Sequence, residues 1–342
     1  MEVNRHKIRQ ITLLCDKSGI VSLFRKTNTG GLLETLGSPS PLSLTLSDSW
    51  ENFPILRLRF VLKSNGLSLP HFQGAFWHSV LGMGLKRRFP EVYEIFWKKQ
   101  GSQSYAIHAP MTMSAHVQRG EILSFDLTLF GEATRYAFHC METIHDVALL
   151  GLGSKTFNGE RGTATLVAVE SVTPFGITGV FREGEGFLET LLPFLSGDIL
   201  SISKGVKTNR INLLCETPLH LKTDNHICMS PPEFFLIVKR LLGRMNQFIP
   251  MPFTMEKKIL LEKSMEVSRG YHDIIWFDLH RWSSRQEKDL MHGGIVGTLE
   301  YLGDLTPFLP WLSMGQWLQI GNKTTFGLGV YRLAVESFEG TK

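Results

Sequence analysis

The strongest constraint in this chain of 342 residues is an order of strands and helices that occurs twice. In the first half, apolar and polar residues alternate over "ILRLRFVLK" (55–63), which predicts a half-buried strand. Helical spacing follows at 72–89, and a second alternating strand follows at 122–131. A second helix is predicted at 135–150 and a closing strand at 163–172. The first half therefore alternates strands with two helices.

The second half repeats this order. Its predicted elements are a strand at 209–223, a helix at 231–248, strands at 272–282 and 293–303, a short helix at 305–320 broken by Pro310, and a strand at 330–338. Prolines at 231 and 232 suit the start of a helix. The pattern predicts an α+β fold of two tandem ferredoxin-like (RRM-like, β-α-β-β-α-β) domains.

Domain boundaries follow from the same pattern. We expect an N-terminal domain with its linker at 55–205 and a C-terminal domain at 206–342. Residues 1–54 lie outside the pattern and are rich in Ser, Thr, Gly and Pro. This composition predicts a partly flexible extension with one hairpin at 10–25.

Composition excludes several classes of protein. No apolar run approaches the ~20 residues of a membrane helix, and "ITLLC" (11–15) is shorter than the about 7–15 residues of a secretory apolar region. We therefore expect a cytoplasmic protein. The four cysteines form no CxxC pair and the 12 histidines form no HExxH, so neither a metal site nor a cofactor is predicted.

The stretch "GNKTTFGLG" (321–329) combines three glycines with Lys323, Thr324 and Thr325. It lacks the GxxxxGK[ST] pattern of phosphate-binding NTPases and the GxGxxG pattern of dinucleotide sites. Two interpretations remain. It is a cradle for a phosphate backbone, with the lysine and the threonine hydroxyls at its tip, or it is a tight helix-to-strand turn.

The wider context of this loop, residues 276–333, resembles the C-terminal domain of CRISPR-associated endoribonucleases that process repeat RNA, within the RAMP superfamily. The resemblance rests on four features: an aromatic-Ser-Ser-Arg-Gln element (Trp282 to Gln286), a Gly-Gly strand (Gly293, Gly294, Gly297), the acidic turn "GDLTPFLP", and the glycine-rich loop. Weaker resemblance extends over 55–230, and the first 54 residues have no counterpart.

The resemblance implies a metal-independent endoribonuclease that binds and cleaves CRISPR repeat RNA (pre-crRNA). A ribose 2′-hydroxyl attacks the adjacent phosphate and leaves a 2′,3′-cyclic phosphate. The implied partners are repeat RNA or crRNA and CRISPR effector subunits. Two alternatives stay open: a RAMP-fold subunit that binds guide RNA without cutting it, and a ferredoxin-like RNA-binding or structural protein unrelated to CRISPR.

Such cleavage needs a base, an acid and donors around the phosphate. Relatives place a histidine on or beside the first helix, which makes His78 and His71 the catalytic candidates, and His292 beside Gly293 is a third. Many relatives also carry a histidine directly before the glycine-rich loop. This chain has Gln319 in that region, and glutamine cannot transfer a proton.

Arg281 and Arg285 flank "WSS" with an even spacing, which would place both on one face of a strand. Guanidinium, amide and hydroxyl donors of this kind fit phosphates or purine edges, and salt bridges to nearby acids are the alternative. The predicted RNA-binding residues are Arg281, Ser283, Ser284, Arg285, Gln286, Gly321, Asn322, Lys323, Thr324, Gly327, Gly329, Lys86, Arg87, Arg88 and Lys155.

Overall fold

A computed structural model gives the architecture of the chain. It describes residues 11–15, 21–25, 50–97, 103–111, 116–155, 159–203, 205–223, 226–248, 254–283, 288–291 and 293–336. Strands β1 (Ile11–Cys15) and β2 (Val21–Arg25) pair as an antiparallel hairpin, where the sequence predicts one.

The first half begins with a 3₁₀ turn at Trp50–Asn52. Its elements, in chain order, are β3 (Pro54–Ser64), β4 (Leu67–Ser68), α1 (Gly74–Arg88), α2 (Pro90–Trp97), β5 (Tyr105–His108), β6 (His116–Val117), β7 (Ile122–Phe130), a 3₁₀ segment (Gly131–Tyr136), α3 (Ala137–Leu150), β8 (Leu152–Lys155), β9 (Arg161–Gly162), β10 (Ala164–Thr173), β11 (Gly176–Arg182), β12 (Gly186–Phe187), β13 (Phe194–Leu195) and α4 (Ser196–Ile202).

The second half has fewer elements. They are β14 (Arg210–Leu219), β15 (Lys222–Thr223), β16 (His226–Ile227), α5 (Phe234–Met245), α6 (Thr254–Ser264), β17 (Ser268–Phe277), β18 (His280–Ser283), β19 (Lys288–Met291), β20 (Gly294–Leu302), a 3₁₀ turn (Thr306–Phe308), α7 (Leu309–Leu318), a 3₁₀ turn (Thr324–Phe326) and β21 (Tyr331–Val335).

Both halves contain a sheet built on the same order of four strands, and the first sheet has three further strands, β11, β12 and β13. The first sheet runs β10-β3-β7-β5 and the second runs β21-β14-β20-β17, and the neighbours in each are antiparallel. Numbered within its own unit, each sheet has the strand order 4-1-3-2, with the helices between strands 1 and 2 and between strands 3 and 4. The predicted α+β fold of two tandem ferredoxin-like domains is confirmed.

The first core lies between the sheet and helices α1 and α3. Alternate residues of β3, including Phe60, turn inward and are fully buried. Phe60 stacks on Phe125 of β7, and Phe125 stacks on Trp77 of α1 at 4.1 Å between ring centroids. Arg57 and Arg59, on the opposite face of β3, point away from this core.

The second core extends beyond its own sheet. It is built around β14, α5 and α7, and it also includes Phe53, Ile55 and Phe130 from the first half. Arg57 joins the two halves: its guanidinium lies 4.2 Å from the Trp317 ring centroid and donates to the Gln316 carbonyl at 2.9 Å. A cation at the C-terminus of α7 satisfies a terminal carbonyl and complements the helix dipole. The first sheet is therefore attached where α7 meets the glycine-rich loop.

Two predicted elements differ in the structure. Pro310 does not break a helix but lies in the first turn of α7, where its missing N–H removes no hydrogen bond. The predicted strand at 272–282 is two strands, because β17 ends at Phe277 and β18 pairs with β19 instead of β20. The sequence analysis also missed β5, the second strand of the first sheet, and the elements β11, α2, α4 and α6.

Candidate nucleic-acid interface

The glycine-rich loop forms a compact turn between α7 and β21. Lys323 (φ 65°) and Gly327 (φ 83°) adopt left-handed conformations on either side of a short 3₁₀ turn. The backbone amide of Asn322 donates to the His220 carbonyl at 3.1 Å, and the backbone amide of Gly329 donates to the Pro218 carbonyl at 3.1 Å. These bonds fasten the loop to the end of β14.

The glycines permit close approach of protein backbone. A Cβ on Gly329, which has φ 78°, would collide with the Ile320 carbonyl oxygen, and one on Gly321 would lie 2.7 Å from the His220 carbonyl oxygen. The amides of Phe326, Gly327 and Leu328 donate to carbonyls within the loop. Much of the loop's hydrogen-bonding capacity therefore serves the turn, as the second interpretation of its sequence expects.

The threonines correct one detail of the cradle interpretation. Thr324 and Thr325 are buried, 4% and 6% exposed, so their hydroxyls do not lie at an open tip. Gly321, Asn322 and Lys323 are partly exposed. The side of the loop that faces solvent is therefore the segment from Gly321 to Lys323.

The loop packs against the start of α1 in the other domain. A Cβ on Gly74, the first residue of α1, would collide with the Phe326 carbonyl oxygen. The Phe326 ring lies 4.3 Å from the His78 ring, centroid to centroid. Gly74 therefore lets the glycine-rich loop and the first helix touch.

His78 is buried at this contact, at 9% exposure. Its Nδ1 and the Tyr105 hydroxyl share a hydrogen bond of 2.8 Å, and Trp97 packs beside the ring. Burial raises the pKa of Tyr105 well above its ordinary value, so the phenol keeps its proton. The surroundings of His78 are those of a packed, hydrogen-bonded side chain covered by Phe326.

Gln319 connects the domains directly before the loop. It is buried, has φ 62°, and donates from Nε2 to the Ile107 carbonyl at 2.8 Å. A neutral amide suits this buried position because it can donate without carrying a charge. Its role in the structure is to attach α7 to β5.

The structure brings some predicted residues together and separates others. His71 is exposed just before α1, next to Phe72, whose ring would lie 3.6 Å from a Cβ on Gly327. Lys86, Arg87 and Arg88 are exposed at the far end of α1, about 20 Å along the helix at 1.5 Å per residue. Arg88 pairs there with Glu142 and Asp146. These three cations therefore lie away from the glycine-rich loop.

The remaining predicted residues belong to other segments. Lys155 ends β8, whose partner is β9, and Arg281 and Ser283 lie in β18, which forms a hairpin with β19. Ser284, Arg285, Gln286 and His292 lie outside the described residues, and the assignment of all these residues to RNA stays a prediction.

Sequence analysis missed two histidines beside the loop. His220 is buried next to Gly321 and donates from Nδ1 to the Gly293 carbonyl at 2.6 Å. Its Nε2 has no hydrogen-bond partner in the described part of the chain. Burial is the main cause that lowers its pKa, and Lys323 and Lys222 lower it further. His220 joins the loop to the start of β20.

The second missed residue, His108, ends β5 and lies between two carboxylates. Its Nδ1 is 3.9 Å from Asp126, and its Nε2 is 3.6 Å from Glu216 of the other domain. A bidentate contact from Arg59 neutralises Asp126, and Arg332 pairs with Glu216. The sequence analysis predicted no strand at 105–108, and no sequence pattern connects His108 to Asp126 or to Glu216, which meet it only through the pairing of β5 with β7 and the contact between domains.

Two further observations concern metal binding and membrane spans. Within the described ranges, no group of three or more His, Cys, Asp or Glu side chains is arranged to hold a metal ion. No helix among the described residues is long and apolar enough to span a membrane.

Two family models match parts of the chain. The family model of the CRISPR-associated endoribonuclease Cas6 matches residues 213–331, and a model described as an N-terminal domain matches 53–191. No curated protein matches the chain in sequence.

Solved structures share the fold. A Cas6 product complex superposes with a TM-score of 0.58 at 14% identity and covers 82% of this chain and 99% of that chain. Cas6 of Thermus thermophilus gives 0.56 at 13% identity with the same coverage. A partial Cas6-RT-Cas1–Cas2 complex gives 0.57 at 14% identity and covers 84% of this chain and 47% of that chain.

Two ferredoxin-like sheets joined at a glycine-rich loop form the fold that this chain shares with the solved Cas6 structures. Residues 213–331, less than half of the chain, match the family model of the CRISPR-associated endoribonuclease Cas6.

Proposed function

We propose that this protein is a metal-independent endoribonuclease that cleaves CRISPR repeat RNA (pre-crRNA) to mature guide RNA. The ribose 2′-hydroxyl attacks the adjacent phosphate, and the products carry a 2′,3′-cyclic phosphate and a 5′-hydroxyl. The observation that carries the proposal is the Cas6 family match, which includes the whole glycine-rich loop. Because its proposed substrate is repeat RNA, the proposed enzyme acts in the cytoplasm. CRISPR effector subunits are its further proposed partners.

The position of the loop supports an RNA site there. Its partly exposed segment, Gly321 to Lys323, lies at the junction of the two domains, with a cation in a fixed backbone conformation. His71 precedes the helix that the loop contacts. In this proposal Lys323 neutralises a phosphate, and the hairpin of β18 and β19 supplies the donors predicted from Arg281 to Gln286.

The three histidines predicted as catalytic differ in their access to RNA. His71 is exposed and can meet RNA as the structure stands. His78 lies beneath Phe326, so its direct participation requires that the loop move. We propose that His71, His78 or His292 donates the proton to the 5′-oxygen. Of His71 and His78, the two that the structure describes, His71 is the more accessible.

The second candidate function is a RAMP-fold subunit that binds guide RNA without cutting it. One observation favours it: Gln319, in the region where many relatives have histidine, is buried and bonded to the Ile107 carbonyl. Such a residue neither transfers a proton nor reaches substrate. Under this alternative the loop and hairpin bind RNA, and no product forms.

One assay separates the two functions. A 5′-labelled synthetic repeat RNA is incubated with the protein in excess EDTA, in parallel with the same RNA carrying a single 2′-deoxy substitution upstream of the scissile phosphate. We expect cleavage of the first RNA and an intact second RNA. Binding without cleavage would support the non-cleaving subunit, and a strict requirement for Mg²⁺ or Mn²⁺ would contradict the proposed mechanism.

A further inference from the structure

His108 lies where the two sheets meet, one residue from the glycine-rich loop's contact with the first domain. The preceding Ile107 carbonyl accepts the hydrogen bond from Gln319, and the same oxygen would lie 3.3 Å from a Cβ on Gly327. The His108 side chain points to the opposite face of β5 from Tyr105 and Ile107, which belong to the first core. The imidazole is therefore attached to a strand that the loop already touches.

Charged groups surround this imidazole from four strands. Asp126 of β7 and Glu216 of β14 flank its two nitrogens, and Arg57 and Arg59 of β3 lie within electrostatic range. Arg332 of β21 pairs with Glu216. The charges that act on His108 directly are two guanidinium groups and two carboxylates, so they balance one another when the imidazole is neutral.

The protonation state of His108 fits a proton acceptor. Burial is the largest influence on its pKa and lowers it from the ordinary value of 6.5; Asp126 and Glu216 oppose this effect, and Arg57 and Arg59 add to it. The ring is neutral at neutral pH, and its side chain keeps 29% of its surface exposed. A neutral, reachable imidazole beside a carboxylate is the arrangement of a general base.

We propose that His108 is the general base of the cleavage reaction, an inference that rests on the proposed function. His108 accepts the proton of the 2′-hydroxyl as the 2′-oxygen forms its bond to phosphorus. The P–O5′ bond breaks, its electron pair goes to the 5′-oxygen, and that oxygen takes a proton from the acid. The imidazolium then releases its proton to solvent.

A purely structural role is the competing explanation. His108 would then connect the domains through Glu216, and its removal would change stability without changing the chemistry. The two explanations differ in their dependence on pH and in their response to an added base. Both can be measured on the full chain.

The test uses single-turnover cleavage of repeat RNA in EDTA between pH 5 and 8. We expect the wild-type rate to rise with pH and to level off above the lowered pKa of His108. His108→Gln, which keeps size and hydrogen bonding but accepts no proton, should lose about 10²-fold in rate and lose that rise. His145→Gln, on the exposed surface of α3, is the matched control and should behave as wild type.

Chemical rescue completes the experiment. His108→Ala should regain activity as free imidazole is added, in proportion to the fraction of imidazole that is unprotonated. The inference is overturned if His108→Gln cleaves at the wild-type rate with the wild-type pH profile, or if imidazole restores nothing to a folded alanine variant. Failure of the proposed function looks different, because the wild type itself would then bind repeat RNA without cutting it, and the assignment of His108 would fall with it.

Discussion

Lys323 shows how one residue combines architecture with function. It adopts the left-handed conformation at φ 65°, which is uncommon for a residue with a side chain, and the loop's other left-handed positions are glycines. Such backbone conformations cost free energy and often occur at functional sites. A lysine in this costly conformation supports the proposal that its charge is used.

We expect Lys323→Ala to weaken binding of repeat RNA and to reduce the slope of log K against log salt by about 0.7–0.9, the value for one lost phosphate contact. Titrations at several salt concentrations measure both quantities. Lys258→Ala removes the same charge from the exposed surface of α6 and controls for net charge. Equal behaviour of the two variants would assign the loop a purely structural role.

At the scale of elements, alternation and helical spacing predicted the long strands β3, β7, β10, β14, β20 and β21 and the helices α1, α3, α5 and α7, because burial on one face sets those periods. The split of 272–282 into β17 and β18 was not predictable, because both parts alternate and pairing partners are chosen in three dimensions. The glycine-rich loop was located correctly from sequence. The reason for its glycines was visible only in the structure, since the backbone they approach includes residues far along the chain.

A comparison of two glycines distinguishes the free-energy cost of a left-handed backbone from the cost of a steric collision with a Cβ. Gly184 and Gly329 have φ of 83° and 78°, but a Cβ on Gly184 meets no atom within 4 Å, whereas one on Gly329 meets the Ile320 carbonyl. Gly184→Ala should destabilise by about 1–2 kcal/mol, the conformational cost.

Gly329→Ala should destabilise by more than that amount, because it adds the steric overlap. Urea unfolding measured on both variants gives the comparison. Equal losses would mean that the loop relaxes at no cost and that the contact between Gly329 and Ile320 does not stabilise it.

At the scale of the whole molecule, the two halves are not independent bodies. Phe53 belongs to the second core. Its backbone carbonyl accepts a hydrogen bond from the Ser196 backbone amide at 2.9 Å, and its backbone amide donates to the Ser196 hydroxyl at 3.2 Å. The order of elements in the sequence predicted two domains. It could not predict that the residue before the first long strand packs against the far domain, because no local pattern encodes that contact.

Truncation tests this arrangement. Deletion of residues 1–48 should preserve the unfolding temperature, because it leaves Phe53 and the 3₁₀ turn in place. Deletion of 1–54 should destabilise by about 3–5 kcal/mol, comparable to removing a buried phenylalanine. Thermal unfolding by circular dichroism compares the two truncated proteins. If both unfold at the wild-type temperature, Phe53 does not contribute to the second core in solution.

The contact between Arg57 and Trp317 gives the molecule an intrinsic optical reporter. The indole contacts the guanidinium and also the Phe194 ring, whose centroid is 4.7 Å away. Separation of the two sheets would admit water around the indole and shift its fluorescence emission to longer wavelength. The difference between wild-type and Trp317→Phe spectra, recorded with and without RNA, therefore reports domain opening in unlabelled protein.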